Sequence, residues 1–235
     1  MLQNMLTKPS LSFNISNIDE LFPGFAEGDF TAFYGSPTVL SLSLLLALRA
    51  QLPFQLGGLE TNVIFIDGGN TFKLYEVSRI AQLNQLNPMQ VLERIHISRA
   101  FTVYQLTLLI LEKLKETVNK LDSKLVIISD AASLFLDEGI PKREAFEVFN
   151  QLIFYLSDFA EENQLIVMAT YLPHYNSRRN SFFKAALCGK ANTVLSVKPS
   201  KYEQRLILEK HPKFNLGYAE FPSEHFTLDQ FMEAC

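Results

Sequence analysis

Short, nearly uninterrupted apolar runs recur along this chain, with helix-like segments between them. The clearest runs are residues 30–34, 62–67, 124–130 and 164–170. Runs of this kind are typical of parallel strands that are buried on both faces. Their alternation with helices predicts an α/β fold, in which a mostly parallel sheet carries helices on both faces. Three closing runs without helices between them predict an antiparallel C-terminal extension at one edge: residues 192–197, 205–209 and 218–221.

The carboxyl ends of these strands carry the residues with candidate chemistry. Gly35, Asp67, Asp130 and Thr170 each follow or end one of the four apolar runs. In open parallel sheets, ligands bind at the carboxyl ends of the strands. We therefore expect a single location to collect these side chains.

Residues 30–48, FTAFYGSPTVLSLSLLLAL, have the pattern of a strand, a turn that opens on Gly35 and a helix. This is the geometry of a phosphate-binding loop, whose pattern G-x-x-x-x-G-K-[ST] offers backbone N–H groups and a lysine to phosphate. In that register the second glycine falls on Leu40, the lysine on Ser41 and the hydroxyl residue on Leu42. The strand–turn–helix pattern of the motif is therefore present, but its second glycine, its lysine and its hydroxyl residue are absent.

Composition narrows the class of protein. The 235 residues suit one large domain, although two small ones are possible, and 48% hydrophobic content with 20 Phe argues against disorder. A net charge of −4 gives no global attraction to nucleic acid. The chain has only two cysteines, no apolar run near the roughly 20 residues of a membrane span, and no signal-peptide pattern. These features predict a soluble protein without a membrane partner, cytoplasmic or, in a eukaryote, nuclear.

The order of segments resembles the ATPase core of the RecA/RadA recombinase superfamily, in particular its archaeal RadA- and RadB-like members. The stretches that carry the resemblance are NIDELFPGFAEGDFTAFYG, VIFIDGGNTF, ISRAF and LVIISDAASLF. They are similar, in order, to the approach to the phosphate loop, the I-D-T-E-G-T-F strand, the A-R-A-F segment and the Walker B strand. The resemblance implies a RecA-like core at residues 16–221, between a lead-in of residues 1–15 and a tail of residues 222–235.

The nucleotide site departs from this family at several positions. Ser41 and Leu42 stand where the family has its lysine and its Mg²⁺-binding hydroxyl. The catalytic Glu falls at Gly69, the adenine-stacking Arg at Glu76 and the Gln that senses the γ-phosphate at Tyr171. Each lost charge-assisted phosphate contact costs about 1.5–3 kcal/mol. The resemblance therefore implies a degenerate site with no useful ATP binding or hydrolysis, no cofactor and no metal.

Two carboxylates of the site remain. Asp130 keeps the Walker B position, and Asp67 precedes the lost Glu. Without lysine and hydroxyl partners, we expect Asp130 to accept hydrogen bonds from nearby backbone N–H groups rather than to bind Mg²⁺. Leucines of the following helix are expected to fill the vacated cavity: Leu40, Leu42, Leu44, Leu45 and Leu46.

A candidate DNA-binding surface follows the fourth strand, in a loop predicted for residues 173–190, PHYNSRRNSFFKAALCGK. In the recombinases the loop at this place contacts single-stranded DNA. Its cations and rings suit phosphates and bases: Arg178, Arg179, Lys184, Lys190, Tyr175, Phe182 and Phe183. Lys142 and Arg143, where the family's other DNA loop begins, add a weak second patch. The alternative is a solvated loop whose phenylalanines fold back onto the core.

The last residues hold a candidate protein-binding segment. Recombinases of this family assemble by inserting an F-x-x-A segment into a neighbour, and residues 231–234 (FMEA) match it through Phe231 and Ala234. Residues 182–185 and 183–186 match as well, so chance alone can produce the pattern in this chain. If the segment acts, the tail docks on a recombinase as a peptide anchor.

Three functions remain open on the sequence. The first is a non-catalytic recombinase paralogue that assists homologous recombination by binding a RadA-type recombinase or another paralogue, single-stranded DNA, or both. The second is an ATPase with a rearranged loop that uses Asp67 or Asp130. The third is a purely structural subunit of a paralogue complex. Fold analogy supplies the biological process in each case.

Overall fold

The computed structural model describes residues 10–173, 177–200 and 203–222, which are built around an eight-stranded sheet. The strands are β1 (Ser10–Leu11), β2 (Phe25–Ala26), β3 (Phe30–Gly35), β4 (Asn62–Asp67), β5 (Ile95–Arg99), β6 (Ser123–Ser129), β7 (Ile166–Tyr171), β8 (Thr193–Pro199), β9 (Glu203–Lys210) and β10 (Gly217–Pro222). The helices are α1 (Ser16–Leu21), α2 (Thr38–Arg49), α3 (Leu74–Leu83), α4 (Pro88–Glu93), α5 (Val103–Leu108), α6 (Leu114–Leu121), α7 (Lys142–Asn163) and α8 (Arg178–Lys190). Short 3₁₀ turns cover Phe54–Leu56 and Ser133–Leu136, and a π-helical stretch, Leu109–Lys113, joins α5 to α6.

The large sheet has the strand order β10-β9-β8-β3-β7-β6-β4-β5. Every pair from β8 to β5 is parallel, whereas β8–β9 and β9–β10 are antiparallel. Strands β1 and β2 form a separate antiparallel pair. The predicted fold class, a RecA-like α/β core with a mostly parallel sheet and an antiparallel C-terminal extension, is confirmed.

Both faces of the central strands β3, β4, β6 and β7 are buried, which explains the continuous apolar runs. In β4, Val63 and Phe65 belong to the core under α2, α3 and α4, while Ile64 and Ile66 belong to the core under α5, α6, α7 and α8. A fully buried side chain of this size contributes about 1.5–3 kcal/mol. Alternate residues of one strand thus hold opposite helical layers in place, and the carboxyl ends of the strands meet at one end of the sheet.

Helix α8 corrects the sequence prediction. Residues 173–190 were expected to form a loop, but Arg178–Lys190 are helical. Ser177 caps the helix by accepting the Asn180 N–H at 3.0 Å. Asn180, Phe183 and Leu187 recur at helical spacing and are buried. The first residues of the helix are polar and rich in arginine, and the buried apolar positions come only after them. The stretch therefore resembled a loop in the sequence.

The two edges of the sheet differ. Helix α1 packs beside β10, and Asn17 donates its side-chain N–H to the Glu220 carbonyl oxygen at 3.1 Å. At the other edge, β5 pairs with β4 and with no other described strand. One edge is therefore covered, and the other is open to a further strand within the described part of the chain.

Part of the predicted lead-in packs against the core. Leu11, Phe13 and Ile15 are buried with the residues under α2. The division into lead-in, core and tail stays a prediction. None of the helices in the described ranges has both the length and the apolar character needed to cross a membrane.

Candidate functional site

The turn after β3 lies where the sequence predicts a phosphate loop. Gly35 has φ of +125°, and a Cβ atom there would stand 2.1 Å from the Val197 carbonyl oxygen of β8. The N–H of Ser36 donates to that same oxygen at 2.9 Å, and its hydroxyl donates to Gln204 Oε1 at 3.1 Å. The turn is therefore fastened to β8 and β9.

Helix α2 begins at Thr38, inside the residues 35–42 that a phosphate loop would occupy. Leu40, Ser41 and Leu42 are consequently helical. Leu42 is fully buried in the core between α2 and the sheet, whereas Leu40 and Ser41 are partly exposed. The leucines that follow pack into the same core: Leu44, Leu45 and Leu46. The apolar residues of this segment hold α2 against the sheet.

Three backbone donors of this turn, those of Ser36, Val39 and Leu40, are used within the chain. Besides Ser36, Val39 donates to the Ser36 carbonyl oxygen and Leu40 to that of Pro37, each at 3.0 Å. Pro37 has no N–H. A phosphate cradle depends on successive N–H groups that point outward together. The donors of Ser36, Val39 and Leu40 are not arranged in this way.

Asp67, at the end of β4, is fully buried and holds the following turn. Its Oδ1 accepts the Thr71 N–H at 2.8 Å and the Thr71 hydroxyl at 3.2 Å. Its Oδ2 accepts the Phe72 N–H at 3.2 Å and Arg99 Nε at 3.3 Å. Four donors satisfy this carboxylate and tie β4 to β5, which is a structural role.

Asp130 and Gly69 lie side by side. The Asp130 N–H donates to Thr170 Oγ1 at 2.9 Å, and its Oδ1 accepts the Leu172 N–H at 3.3 Å. This is the kind of backbone contact expected for Asp130. A Cβ atom at Gly69 would lie 2.6 Å from the Asp130 Cβ. The position of the family's catalytic Glu therefore has no room for a side chain while Asp130 stays where it is.

The other two departures also have local partners. Glu76 lies in the first turn of α3 and pairs with Lys73 at 3.9 Å. Tyr171 ends β7, and its hydroxyl donates to the side-chain oxygen of Asn180 in α8. Burial, followed by the negative charge of Asp130, raises the pKa of Tyr171 to about 12, so the hydroxyl remains a proton donor at neutral pH. The end of β7 is thereby joined to α8.

Two predicted DNA-binding cations of α8 are engaged within the chain. Arg179 donates to the carbonyl oxygens of Phe135 at 2.7 Å and Ile140 at 3.1 Å. Lys184 Nζ lies 4.0 Å from the centre of the Tyr34 ring. These contacts fix α8 to the 3₁₀ turn before α7 and to β3, and they compete with any contact to phosphate.

Three further predicted cations, Lys190, Arg143 and Lys142, also have partners within the chain. Lys190 lies 3.2 Å from Asp158, Arg143 lies 2.7 Å from Glu147, and Lys142 stands over an aromatic ring of α7. Ion pairs at the protein surface contribute little free energy, so a polyanion can compete with Asp158 for Lys190 and with Glu147 for Arg143. Of the predicted DNA contacts that the structure describes, Lys142 and Arg143, together with Arg178 on α8, are the most exposed and therefore the most accessible to phosphate.

The predicted base-stacking residues lie against α7. Phe183 is fully buried and packs against Phe149, so the prediction that it stacks on bases is wrong. Phe182 is partly exposed and stacks on Phe146, with ring centres 3.7 Å apart. The alternative, in which phenylalanines fold back onto the core, describes Phe183. Arg178 lies on the exposed face of the helix.

Three predicted residues lie outside the described residues: Tyr175, Phe231 and Ala234. Their roles in DNA stacking and partner binding stay predictions. Within the described ranges, no group of three or more His, Cys, Asp or Glu residues is placed to hold a metal ion.

The open edge of β5 was missed by sequence reasoning. Ile95 is buried, but Ile97 on the same strand is 43% exposed. Two large exposed apolar side chains, Phe101 and Tyr104, follow this strand closely in sequence. An open strand edge offers N–H and C=O groups to another strand. The alternating isoleucines are visible in the sequence, but the position of the strand at the sheet edge is not.

Comparison with known proteins adds a family to this geometry. The Rad51 family pattern matches residues 11–185. The DNA repair and recombination protein RadA of Methanocorpusculum labreanum is 33% identical over 142 residues, which cover 53% of this chain and 43% of that protein. The protein of the same name from Methanoculleus marisnigri is 32% identical over 139 residues, covering 53% of this chain and 42% of that protein. The match spans less than half the length of either relative. The family match over most of the chain, on a RecA-like sheet, shows that the protein belongs to the Rad51 family.

Proposed function

We propose that this protein is a non-catalytic member of its family that assists homologous recombination by binding a recombinase, single-stranded DNA or both. The process comes from its relatives, which are named as DNA repair and recombination proteins. The observation that carries the proposal is the turn after Gly35, where Ser36, Val39 and Leu40 donate to the chain's own carbonyl oxygens. A family core without a phosphate cradle keeps its binding surfaces but lacks the means to use ATP.

The size of the loss supports this reading. A charge-assisted phosphate contact is worth about 1.5–3 kcal/mol, so three such losses amount to roughly 5–9 kcal/mol. That difference weakens a dissociation constant by roughly three to six orders of magnitude. A dissociation constant that is micromolar in a competent member of the family would thereby rise to about millimolar or weaker.

Isothermal titration of the protein with Mg·ATP tests the proposal. We expect no binding heat up to millimolar nucleotide, whereas the RadA relative from Methanocorpusculum labreanum serves as the positive control in the same buffer. A micromolar dissociation constant for this chain would overturn the non-catalytic assignment. It would favour the ATPase alternative, which needs Asp67 or Asp130 to give up the hydrogen bonds described above.

The recombinase-binding surface that we favour is the open edge of β5. Its backbone is unpaired on the outer side among the described strands, and Ile97 supplies an exposed apolar contact there. An extended segment of a partner can add to such an edge, with main-chain hydrogen bonds for affinity and side-chain contacts for specificity. The covered edge at β10 offers no equivalent position.

A pair of matched variants tests this surface. Ile97→Asp places a charge on the open edge, and Leu216→Asp places the same charge on a residue that is 60% exposed beside β10. Binding to a RadA-type recombinase, measured by biolayer interferometry, should weaken at least tenfold for Ile97→Asp and remain unchanged for Leu216→Asp. If Ile97→Asp binds like the wild type and deletion of residues 223–235 abolishes binding, the tail is the anchor instead.

A further inference from the structure

Helix α8 is anchored at its start by the end of β7. Ser177 caps the first turn, and Asn180 is buried beneath it. The Tyr171 hydroxyl donates to the Asn180 side chain. Because Tyr171 is the last residue of a central strand, this contact sets the position of α8 from inside the sheet.

The middle of α8 is anchored by packing. Phe183 and Leu187 are fully buried in the core that α7 and the sheet form. Phe183 contacts three rings of the neighbouring elements: Phe135, Phe146 and Phe149. Arg179, one turn earlier, donates to two carbonyl oxygens of the segment before α7. This half of the helix cannot move without opening part of the core.

The end of α8 is anchored by a lysine of the antiparallel extension. Lys210 Nζ donates to the carbonyl oxygens of Gly189 at 2.9 Å and Ala191 at 2.6 Å. A cation at this position satisfies terminal carbonyl groups and complements the helix dipole. Start, middle and end of α8 are thus held by β7, α7 and β9 respectively.

We infer that α8 is a permanently docked helix, that Tyr171 is its positioning residue, and that no nucleotide is needed to order it. The family resemblance gives position 171 to a glutamine that senses the γ-phosphate. Here the side chain at that position contacts α8 directly, so an internal hydrogen bond stands where a ligand-dependent one is expected. The exposed face of α8, with Arg178 at its start, is then presented in one arrangement at all times.

The consequence concerns regulation. Any partner that binds the exposed face of α8 meets a surface already in place, so its affinity does not depend on ATP. This inference rests on the proposed function only in taking nucleotide as unnecessary for ordering this region. It holds for a DNA or a protein ligand alike.

Hydrogen exchange of the full chain, followed by mass spectrometry, tests the inference. In the wild type, amides of residues 181–190 should be protected as strongly as those of α7, with the same rates with and without Mg·ATP. Tyr171→Phe, which removes only the hydroxyl, should speed exchange in residues 181–187 at least tenfold and leave β4 and β6 unchanged. Tyr104→Phe, which removes a hydroxyl that donates to Glu144 elsewhere, is the matched control and should change nothing in α8.

Two results would overturn the inference: α8 amides of the wild type that slow down when Mg·ATP is added, or Tyr171→Phe with wild-type rates in α8. Asn180→Ala, which removes the acceptor, serves as the second variant if Tyr171→Phe does not fold. The outcome is separable from that of the proposed function. Calorimetric ATP binding with unchanged α8 exchange would overturn the non-catalytic assignment and leave the docked helix standing.

Discussion

Two adjacent arginines, Arg178 and Arg179, have different roles in the structure although they look alike in the sequence. Arg178 and Arg179 both suggest a basic, DNA-facing loop when only the sequence is considered. In the folded chain Arg178 lies on the exposed face of α8, whereas Arg179 reaches the carbonyl oxygens of Phe135 and Ile140. Only the helical rotation between neighbouring residues separates them. A substitution of both together would confuse stability with binding.

Single substitutions should separate the two roles. Arg179→Ala leaves two carbonyl groups without their charged donor, and we expect the free energy of unfolding to fall by about 1–3 kcal/mol. Arg178→Ala, its matched control at the next position, should change it by less than about 0.5 kcal/mol. Urea unfolding followed by circular dichroism measures both. Equal effects would contradict the assignment of Arg179 to the fold.

Asp19 of α1 has an unusual environment for a carboxylate. Its Oδ1 is buried without a hydrogen-bond partner. Burial raises the pKa of Asp19 from 3.8 to about 6, although the charge of Arg49 and nearby backbone N–H groups lower it. Because the pKa is higher in the folded than in the unfolded protein, the group stabilises the fold fully below pH 3.8. This contribution is lost as the pH rises through about 6.

Comparison with Asp19→Asn isolates the pH-dependent contribution of the Asp19 carboxyl group to the free energy of unfolding. Between pH 4 and pH 7 the wild type should lose about 1 kcal/mol of unfolding free energy relative to Asp19→Asn, a value reduced for partial exposure of the carboxylate. Urea titrations at several pH values give the difference, and Glu60→Gln controls for removal of an exposed carboxylate. A difference that stays constant with pH would contradict the raised pKa.

At the scale of elements, the sequence predicts strands better than the start of α2. Asn62–Asp67 was predicted to the residue because an apolar run buried on both faces has sharp ends. The sequence pattern predicts a phosphate-loop frame over residues 35–42, but α2 begins within it at Thr38, because Pro37 adopts a helical conformation with φ of −53°. Whether the chain forms an open cradle or an early helix depends on contacts of Ser36 with β8 and β9. Those contacts join residues far apart in sequence, so local patterns cannot reveal them.

Restoring the motif residues should therefore fail to restore activity. A variant with Leu40→Gly, Ser41→Lys, Leu42→Thr and Gly69→Glu has the family's side chains. We expect it to lose about 2–4 kcal/mol of stability at buried Leu42 alone. We also expect no ATP turnover, since a side chain at position 69 meets Asp130.

A coupled phosphate-release assay checks this expectation, with Ser41→Lys alone as the control at a partly exposed position. Mg²⁺-dependent hydrolysis by the fourfold variant, above that of the control, would show that missing side chains were the only defect. The backbone arrangement of the turn would then have no part in the loss.

At the scale of the whole molecule, the distribution of charge and the open edge of the sheet at β5 determine which partners the protein can bind. The net charge is −4, and most candidate cations of α7 and α8 contact carboxylates, carbonyl groups or rings of the same chain. The mostly parallel sheet and the antiparallel extension follow from sequence pattern and family resemblance. The internal use of the cations and the open edge do not, because they depend on which elements become neighbours. Sequence thus predicts the scaffold more fully than the surface.

Salt dependence should report the small basic surface. If Lys142, Arg143 and Arg178 are the phosphate contacts, the slope of log K against log salt for single-stranded DNA should be about −2, from roughly −0.7 per contact. Fluorescence anisotropy with labelled oligothymidine measures it. Arg178→Ala should make the slope shallower, and Lys213→Ala, an exposed lysine beyond β9, should leave it unchanged. A slope steeper than about −4 would mean that further basic residues contact the phosphates.

Gly35 shows that a motif glycine can be required by the fold of the sheet alone, which matters when chains are grouped by their sequence motifs. Its close approach to Val197 means that pairing with β8 alone is enough to keep a glycine there, because any Cβ atom would collide with that carbonyl oxygen. A properly folded sheet requires this residue whether or not the chain binds nucleotide. In surveys of genomes, a glycine at this position is therefore not by itself evidence that a chain binds ATP, because the sheet alone requires it.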